Sequence, residues 1–378
     1  MKVVGIVVEY NPFHNGHLYH LQETKRLLKP DLLVAVMSPN FTQRGDIAIL
    51  DKFTRAKIAL TYGVDLVIEL PYRYATSSAD TFAFGAIRLL NAVGCQAIAF
   101  GSEKNDANAL QMIAEWIDTP VFQTEIRRLL DEGYSYPKAS ELALHIFDSN
   151  LTPIDTNDIL GIQYIRAIRR LNPAIAFHTI KRIGSHYRDE KLSSGPISSA
   201  TAIRLAVKEN RDISPYVPKE TYQALQKQTK DWEDFYPYLK YQIITLGNRL
   251  KDIHDMTEGL DQRIRKINLE ASSFYTLLNR LTSRRHTESK IRRVLLHILT
   301  MYTKEDVSNH QDYIRILGFN KTKSPLIKRI LKNAPYPVIT NVRKEHFDFI
   351  AFDLKSDAIY HFDDPSSIQK IPVWIERE

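Results

Sequence analysis

Short apolar runs alternate along the first half of the chain with stretches in which apolar residues recur every three or four positions. The runs at residues 3–8, 32–37, 65–70, 97–100 and 175–180 read as buried strands, and helical periodicity covers 17–28, 51–62, 79–92 and 107–116. Apolar strands separated by amphipathic helices predict a parallel sheet covered on both faces, so the expected fold class is α/β with a Rossmann-like parallel sheet. Residues 123–171 read as helical, with breaks at Pro137 and across 151–157. A loop is expected over 184–196 and a helix from about Ser198. Prolines between Asp212 and Pro218 suggest a boundary, giving a sheet domain at 1–212 and a mainly α-helical basic domain at 213–378. The second domain keeps helical periodicity to Asn333. Residues 335–360 are rich in β-formers and suggest a hairpin or a pair of strands.

Ligands of such sheets gather beyond the carboxyl ends of the strands, and the most informative short sequence falls there. Asn11-Pro12-Phe13-His14-Asn15-Gly16-His17 joins the first strand to the first helix. The first N–H groups of a helix lack internal partners and carry the positive end of its dipole, so anions settle there. Gly16 has no Cβ to hold a phosphate away from the backbone. His14 and His17 share one face of the first turn. Each can donate an N–H to a phosphate oxygen as charge builds up during displacement at an α-phosphorus. Asn15 suits the N-cap. Two surface histidines at a helix cap would give the same spacing without a ligand, but the strand before and the helix after favour a phosphate site. Further on, Ser198 or Ser199 can cap a helix on which Thr201 and Arg204 share a face, which makes a second anion cradle.

The His14–His17 turn paired with Ser199-x-Thr201-x-Ile203-Arg204 resembles the double signature of the HIGH-type nucleotidyltransferases and class I synthetases, which bind ATP and release pyrophosphate from its α-phosphate. One serine of the usual adenylyltransferase form is Ala200 here. A closer similarity is to the tRNA(Met) cytidine acetate ligase family. It is carried by residues 4–17, by Ala35-Val36-Met37-Ser38 and Asn40-Phe41-x-Gln43-Arg44-Gly45, and by Asp65-Leu66-Val67-Ile68-Glu69-Leu70-Pro71. Phe100-Gly101-Ser102-Glu103 and Asn157-x-Ile159-Leu160-Gly161 extend it. It spans nearly the whole length and is most specific up to Arg204. Pro39 stands where that family has glycine, and Asp46-Ile47 where it has Glu-Pro.

The resemblance implies an ATP-dependent ligase that makes acetyl-adenylate from acetate and then acetylates N4 of the wobble cytidine of elongator tRNA(Met). ATP would lie along Val7, Val8, Glu9, Tyr10, Asn11, Pro12, Phe13, His14, Asn15, Gly16 and His17, with Gly101, Asn157 and Arg182 completing its site. His14 and His17 would stabilise the α-phosphate; Thr201, Arg204 and Arg182 would hold the β- and γ-phosphates. Mg²⁺ would arrive with ATP, with no dedicated metal cage. Gln43 and Arg44 are candidates for holding acetate or the cytosine edge, a solvated loop being the alternative. A competing function is an adenylyltransferase acting on a small phosphorylated cofactor precursor, which needs the same turn but no basic helical domain. A non-catalytic RNA-binding protein would leave the histidines idle.

Charge sharpens the choice. The chain of 378 residues carries a net +7, but residues 263–332 hold 16 lysines and arginines against 5 acidic residues, so the remainder is net acidic. A concentrated basic segment points to an acidic polymer. Three clusters are expected to contact tRNA phosphates: Arg263, Arg265 and Lys266; Arg284, Arg285, Lys290, Arg292 and Arg293; and Lys321, Lys323, Lys328 and Arg329. Solvated helix faces are the alternative. Charge reversal at Arg292 and Arg293 is expected to weaken tRNA binding and leave adenylate formation intact. The single cysteine, Cys95, excludes a disulfide framework and fits a reducing cytosol, so a cytoplasmic enzyme is expected. No apolar stretch approaches membrane-spanning length, and a leader peptide is not expected before a strand that begins at Val3.

Overall fold

The computed structural model describes residues 1–184, 191–308, 311–369 and 371–377. Of the loop expected over 184–196, residues 185–190 lie outside the described residues. β1 (Val3–Val8), β2 (Leu32–Met37), β3 (Leu66–Glu69), β4 (Ala97–Ser102) and β5 (Ala176–Lys181) form a parallel sheet in the order β5-β4-β1-β2-β3. Alternate side chains of β2 enter different cores: Leu32, Val34 and Val36 face one, Leu33, Ala35 and Met37 the other. The first core is closed by α3 (Tyr72–Ala75), α4 (Ala79–Ala92), α5 (Ala107–Ile117), α6 (Pro120–Asp131), α7 (Tyr136–Leu144) and α8 (Thr156–Leu171). The second is closed by α1 (Asn15–Leu28), α2 (Lys52–Thr61), α9 (Ala200–Lys208) and α10 (Lys219–Leu225). The chain leaves β1 for β2 on one side and reaches β4 on the other, so the strand order reverses beside β1. That reversal opens a crevice at the carboxyl ends of β1 and β4.

The helical part follows as α11 (Trp232–Leu246), α12 (Leu260–Glu270), α13 (Phe274–Leu281), α14 (Glu288–Thr300) and α15 (Lys304–Ser308). Two expectations then fail. Residues 314–320 are not helical but form β6 (Ile314–Asn320), antiparallel to β3, with Leu66 opposite Phe319. After α16 (Ser324–Lys332) come β7 (Val338–Ile339), α17 (Phe347–Tyr360) and β8 (Val373–Ile375); β7 and β8 both pair with β6. The sheet therefore continues past residue 212, and the hairpin expected over 335–360 is mostly helix α17.

The reasons are physical. All but one residue of β6 are buried, and a short run buried on both faces shows no period that separates strand from helix. In α17 the buried face carries Ile350, Asp353, Asp357 and Tyr360, so aspartates interrupt the apolar stripe that marks a helix. Those aspartates have partners. Lys52 on α2 reaches Glu69 at 2.5 Å and Asp357 at 2.6 Å, and Arg315 on β6 reaches the same two carboxylates at 3.1 Å each. This neutral tetrad is fully buried and ties α2, β3, β6 and α17 together.

The loop after β2 also belongs to both halves. Its Phe41 and Ile47, with Tyr72, pack into the helical core beside Trp232, Phe274, Val294 and Tyr360. Gly45 takes a positive φ of 76°, and a Cβ there would lie 2.5 Å from the backbone nitrogen of Arg293, so only glycine lets α14 approach.

Candidate active site

The turn after β1 is built by its own histidines. His14, not Asn15, is the N-cap of α1: its Nδ1 accepts the Gly16 N–H at 3.0 Å, and the Nδ1 of His17 accepts the His14 N–H at 3.3 Å. This reciprocal pair satisfies two helix-end donors. With both Nδ1 atoms accepting, each ring must carry its proton on Nε2. The two imidazoles stack 3.8 Å apart, and His17 is held edge-on by Tyr10 at 4.9 Å. Burial, with Arg182 and Arg204 nearby, pushes His14 down to about 3, and burial, with His14 and Arg182 nearby, holds His17 well below its ordinary value. Both rings are therefore neutral donors before a ligand arrives. Gly16 is needed for the ring as much as for a phosphate, since a Cβ would lie 2.8 Å from Cε1 of His14. Asn15 does other work: its amide donates to the carbonyls of Pro196 and Pro215, which latches α1 to the segments on either side of α9.

The second cradle lies across the same crevice. Ser199 caps α9, accepting the Ala202 N–H at 3.0 Å. Arg204 donates to the Asn11 carbonyl at 2.7 Å and to the Thr201 hydroxyl at 3.4 Å, and its other contact is a long ion pair of 3.6 Å to Asp46. On the far wall Glu103 organises the end of β4. It accepts from the Asn157 amide and pairs with Arg182 at 3.4 Å, while Lys181 donates to its carbonyl. Gly101 leaves room beside Arg182, whose Cγ would stand 3.3 Å from a Cβ.

Of the expected ATP residues, 7–11, His14, Gly16, His17, Gly101, Asn157, Arg182 and Arg204 line one cavity. Pro12, Phe13, Asn15 and Thr201 do not line it. Phe13 is completely buried and packs on Tyr10 and Tyr62. The sequence reading missed His20, Phe82, Phe100 and Tyr164, which also line the cavity. His20 continues the three-residue spacing of His14 and His17 and could have been found. The aromatic residues come from α4, β4 and α8, and nothing in their spacing announces the site. Gln43, Arg44 and Asp46 line the cavity from the loop after β2, so this loop is a wall and not a solvated excursion. Among the described residues, no group of three or more His, Cys, Asp or Glu side chains is placed to hold a metal ion.

The basic clusters separate. Arg292 pairs with Asp46 and, at 2.7 Å, with Glu288; Arg293 donates to the Gln43 carbonyl and faces Asp255 at 3.8 Å. Both are largely covered and grip the cavity loop, which corrects their reading as free phosphate contacts. Arg263 and Arg265 are half-buried and donate to the Arg280 carbonyl and to Asn248, and Lys290 pairs with Asp255 at 3.1 Å. Lys266, Arg284 and Arg285 are exposed. Lys321 and Lys323 follow β6, which runs antiparallel and delivers them to the amino-terminal edge of the parallel strands, opposite the crevice. Lys321 pairs there with Glu376 at 2.8 Å. No described helix is long and apolar enough to cross a membrane.

Known proteins share this arrangement. The HIGH Nucleotidyl Transferase family matches residues 1–371. A tRNA(Met) cytidine acetate ligase from Caldicellulosiruptor saccharolyticus is 41% identical over 346 residues, covering 89% of this chain and 86% of that one. The same-named protein of Geobacillus sp. (strain WCH70) is 37% identical over 392 residues, covering 100% and 96%. Thermotoga maritima TmcAL bound with alpha-thio ATP superposes with a TM-score of 0.89 at 35% identity, with all of both chains covered. Its apo form gives 0.91 at the same identity. The chain belongs to the HIGH nucleotidyl transferases and, within them, to the tRNA(Met) cytidine acetate ligase family.

Proposed function

We propose that this protein is an ATP-dependent ligase that activates acetate as acetyl-adenylate and transfers the acetyl group to N4 of the wobble cytidine of elongator tRNA(Met). The observation that carries the reading is the pair of stacked histidines in the cavity wall, each with Nδ1 occupied and its proton therefore on Nε2. Neutral donors fixed by the fold cost no reorganisation when charge develops on an α-phosphate oxygen. Acetate attacks the α-phosphorus, the bond from that phosphorus to the α,β-bridging oxygen breaks, and pyrophosphate leaves with the electron pair. Arg204 and Arg182 receive the departing phosphates: their pairs with Asp46 and Glu103 are long, 3.6 and 3.4 Å, so exchanging them for phosphate oxygens sacrifices little. Adenine and ribose lie toward Gly101 and Asn157. Mg²⁺ enters as the ATP complex, held by phosphate oxygens and water.

The tRNA approaches over the rim where α9 meets the helical part. Tyr275 is exposed there between Lys208, 4.9 Å above its ring, and Arg292. An aromatic face flanked by cations suits an unstacked base of a single-stranded loop, and exposed Lys266, Arg284 and Arg285 supply phosphate contacts. The test is incubation with ATP, labelled acetate and bulk tRNA. Label on RNA with stoichiometric pyrophosphate is expected. Pyrophosphate release that requires a phosphorylated cofactor precursor instead would overturn the reading.

A further inference from the structure

Among the described residues that line the cavity two are carboxylates, Glu9 and Asp46, and they are held differently. Asp46 is committed to Arg204 and Arg292. Glu9, at the carboxyl end of β1, uses only Oε1: it accepts the Gln43 N–H at 2.8 Å and the Ser38 hydroxyl at 3.3 Å. Among the described residues its Oε2 makes no hydrogen bond and no ion pair shorter than 4 Å, although the Arg44 charge acts on the carboxylate. The groups that face Glu9 electrostatically are Arg44 and Asp46 from the loop, Tyr164 from α8, and Arg55 from α2, which donates to the Glu9 backbone carbonyl at 2.6 Å. Two backbone- and hydroxyl-derived hydrogen bonds on one oxygen fix the carboxylate plane. They leave the second oxygen without a hydrogen bond among the described residues, on a side chain that lines the cavity together with Gln43, Arg44 and Asp46 of the loop.

We infer that Glu9 is the general base of the transfer half-reaction, its Oε2 taking the proton from the cytidine amine. The inference rests on the function proposed above. The N4 lone pair attacks the acetyl carbonyl carbon, the bond from that carbon to the phosphate oxygen breaks, AMP leaves with the electron pair, and the N4 proton passes to Oε2 and then to solvent. Burial raises the Glu9 carboxyl above its ordinary range, toward the range where a carboxylate accepts protons effectively.

Glu9→Gln is the informative variant, because its amide oxygen can still accept from Gln43 and Ser38 while it cannot take a proton. Acetate-dependent ATP–pyrophosphate exchange and single-turnover acetylation of tRNA are measured on the same preparation. Transfer to tRNA is expected to fall by about 10²–10⁴-fold, at least tenfold more than exchange. Trapping of the adenylate by hydroxylamine, which sheds its proton to water readily, is expected to follow exchange and not transfer. Equal losses in exchange and transfer, or transfer at the wild-type rate, would reduce Glu9 to a loop anchor. Absence of acetate-dependent exchange in the wild-type protein would instead sink the proposed function itself, so the two failures are distinguishable.

Discussion

Two regions of this protein bury charge on the same sheet and treat it in opposite ways. The tetrad between β3 and β6 holds two cations and two carboxylates at 2.5–3.1 Å, each cation touching both carboxylates. The crevice beyond β1 and β4 gathers His14, His17, His20, Arg182 and Arg204, and among the described residues the carboxylates that pair with the arginines of this group stand 3.4–3.6 Å away. Short reciprocal pairs satisfy themselves and make structure. Long pairs and neutral imidazoles leave donors available and make a site. The helical part shows the same division on a smaller scale: Arg292 and Arg293 are spent on the cavity loop, whereas Arg284 and Arg285 remain exposed.

The largest expected effect tests the closed region. Lys52→Met leaves Glu69 and Asp357 sharing Arg315 alone and should destabilise the fold by about 3–5 kcal/mol, read as a lowered urea midpoint. A loss below about 1 kcal/mol would mean that the tetrad does not tie the sheet to α17. The open region comes next. His14→Ala and His17→Ala should each reduce acetate-dependent ATP–pyrophosphate exchange by about 10²–10³-fold, with the urea midpoint moved far less than by Lys52→Met. Near-normal exchange in either variant refutes its role at the α-phosphate.

The arginines of α14 sharpen the boundary between the two designs. Arg292→Glu places an anion against Asp46 and should lower exchange, measured without RNA, by about 10-fold or more, since small displacements of positioning groups are costly. Arg284→Glu should act mainly on RNA, lowering affinity and reducing the slope of log affinity against log salt by about 0.7–0.9 for the lost contact. An Arg292 variant with intact exchange would restore the earlier expectation that this residue serves RNA alone.

The smallest effect is on pH dependence. His14 titrates near 3 in the folded protein, below the 6.5 of an exposed histidine. The unfolded chain therefore binds more protons between these values, and stability falls as pH drops from about 6.5 toward 3. His17 and His20, lowered by the same burial, act in the same direction. The melting temperature of the ligand-free protein should decline between pH 7 and 5, more shallowly in a His14→Gln variant and more shallowly with ATP bound, because phosphate favours the protonated ring. An unchanged slope in His14→Gln would show that His14 is not buried neutral.

Much of this was legible in the sequence because it is local. Apolar runs marked β1 to β5, and strand-turn-helix context marked the histidine turn, since a helix start needs no distant residue to bind an anion. The Ser199 cap and the Thr201–Arg204 face followed from helical spacing in the same way. What the residues alone did not give was pairing over hundreds of positions. β6 looked like helix because a strand buried on both faces has no period, and α17 looked like strand because the partners of Asp353 and Asp357 lie near Tyr72 and Lys52.

The sequence by itself thus determined the phosphate-binding chemistry, because the groups involved sit within a few residues of one another on one turn and one helix. Only the tertiary structure decided which charges are free to serve it. A cation's availability depends on whether a carboxylate from elsewhere in the chain stands within about 3 Å, and that distance is set by packing, not by neighbours in sequence.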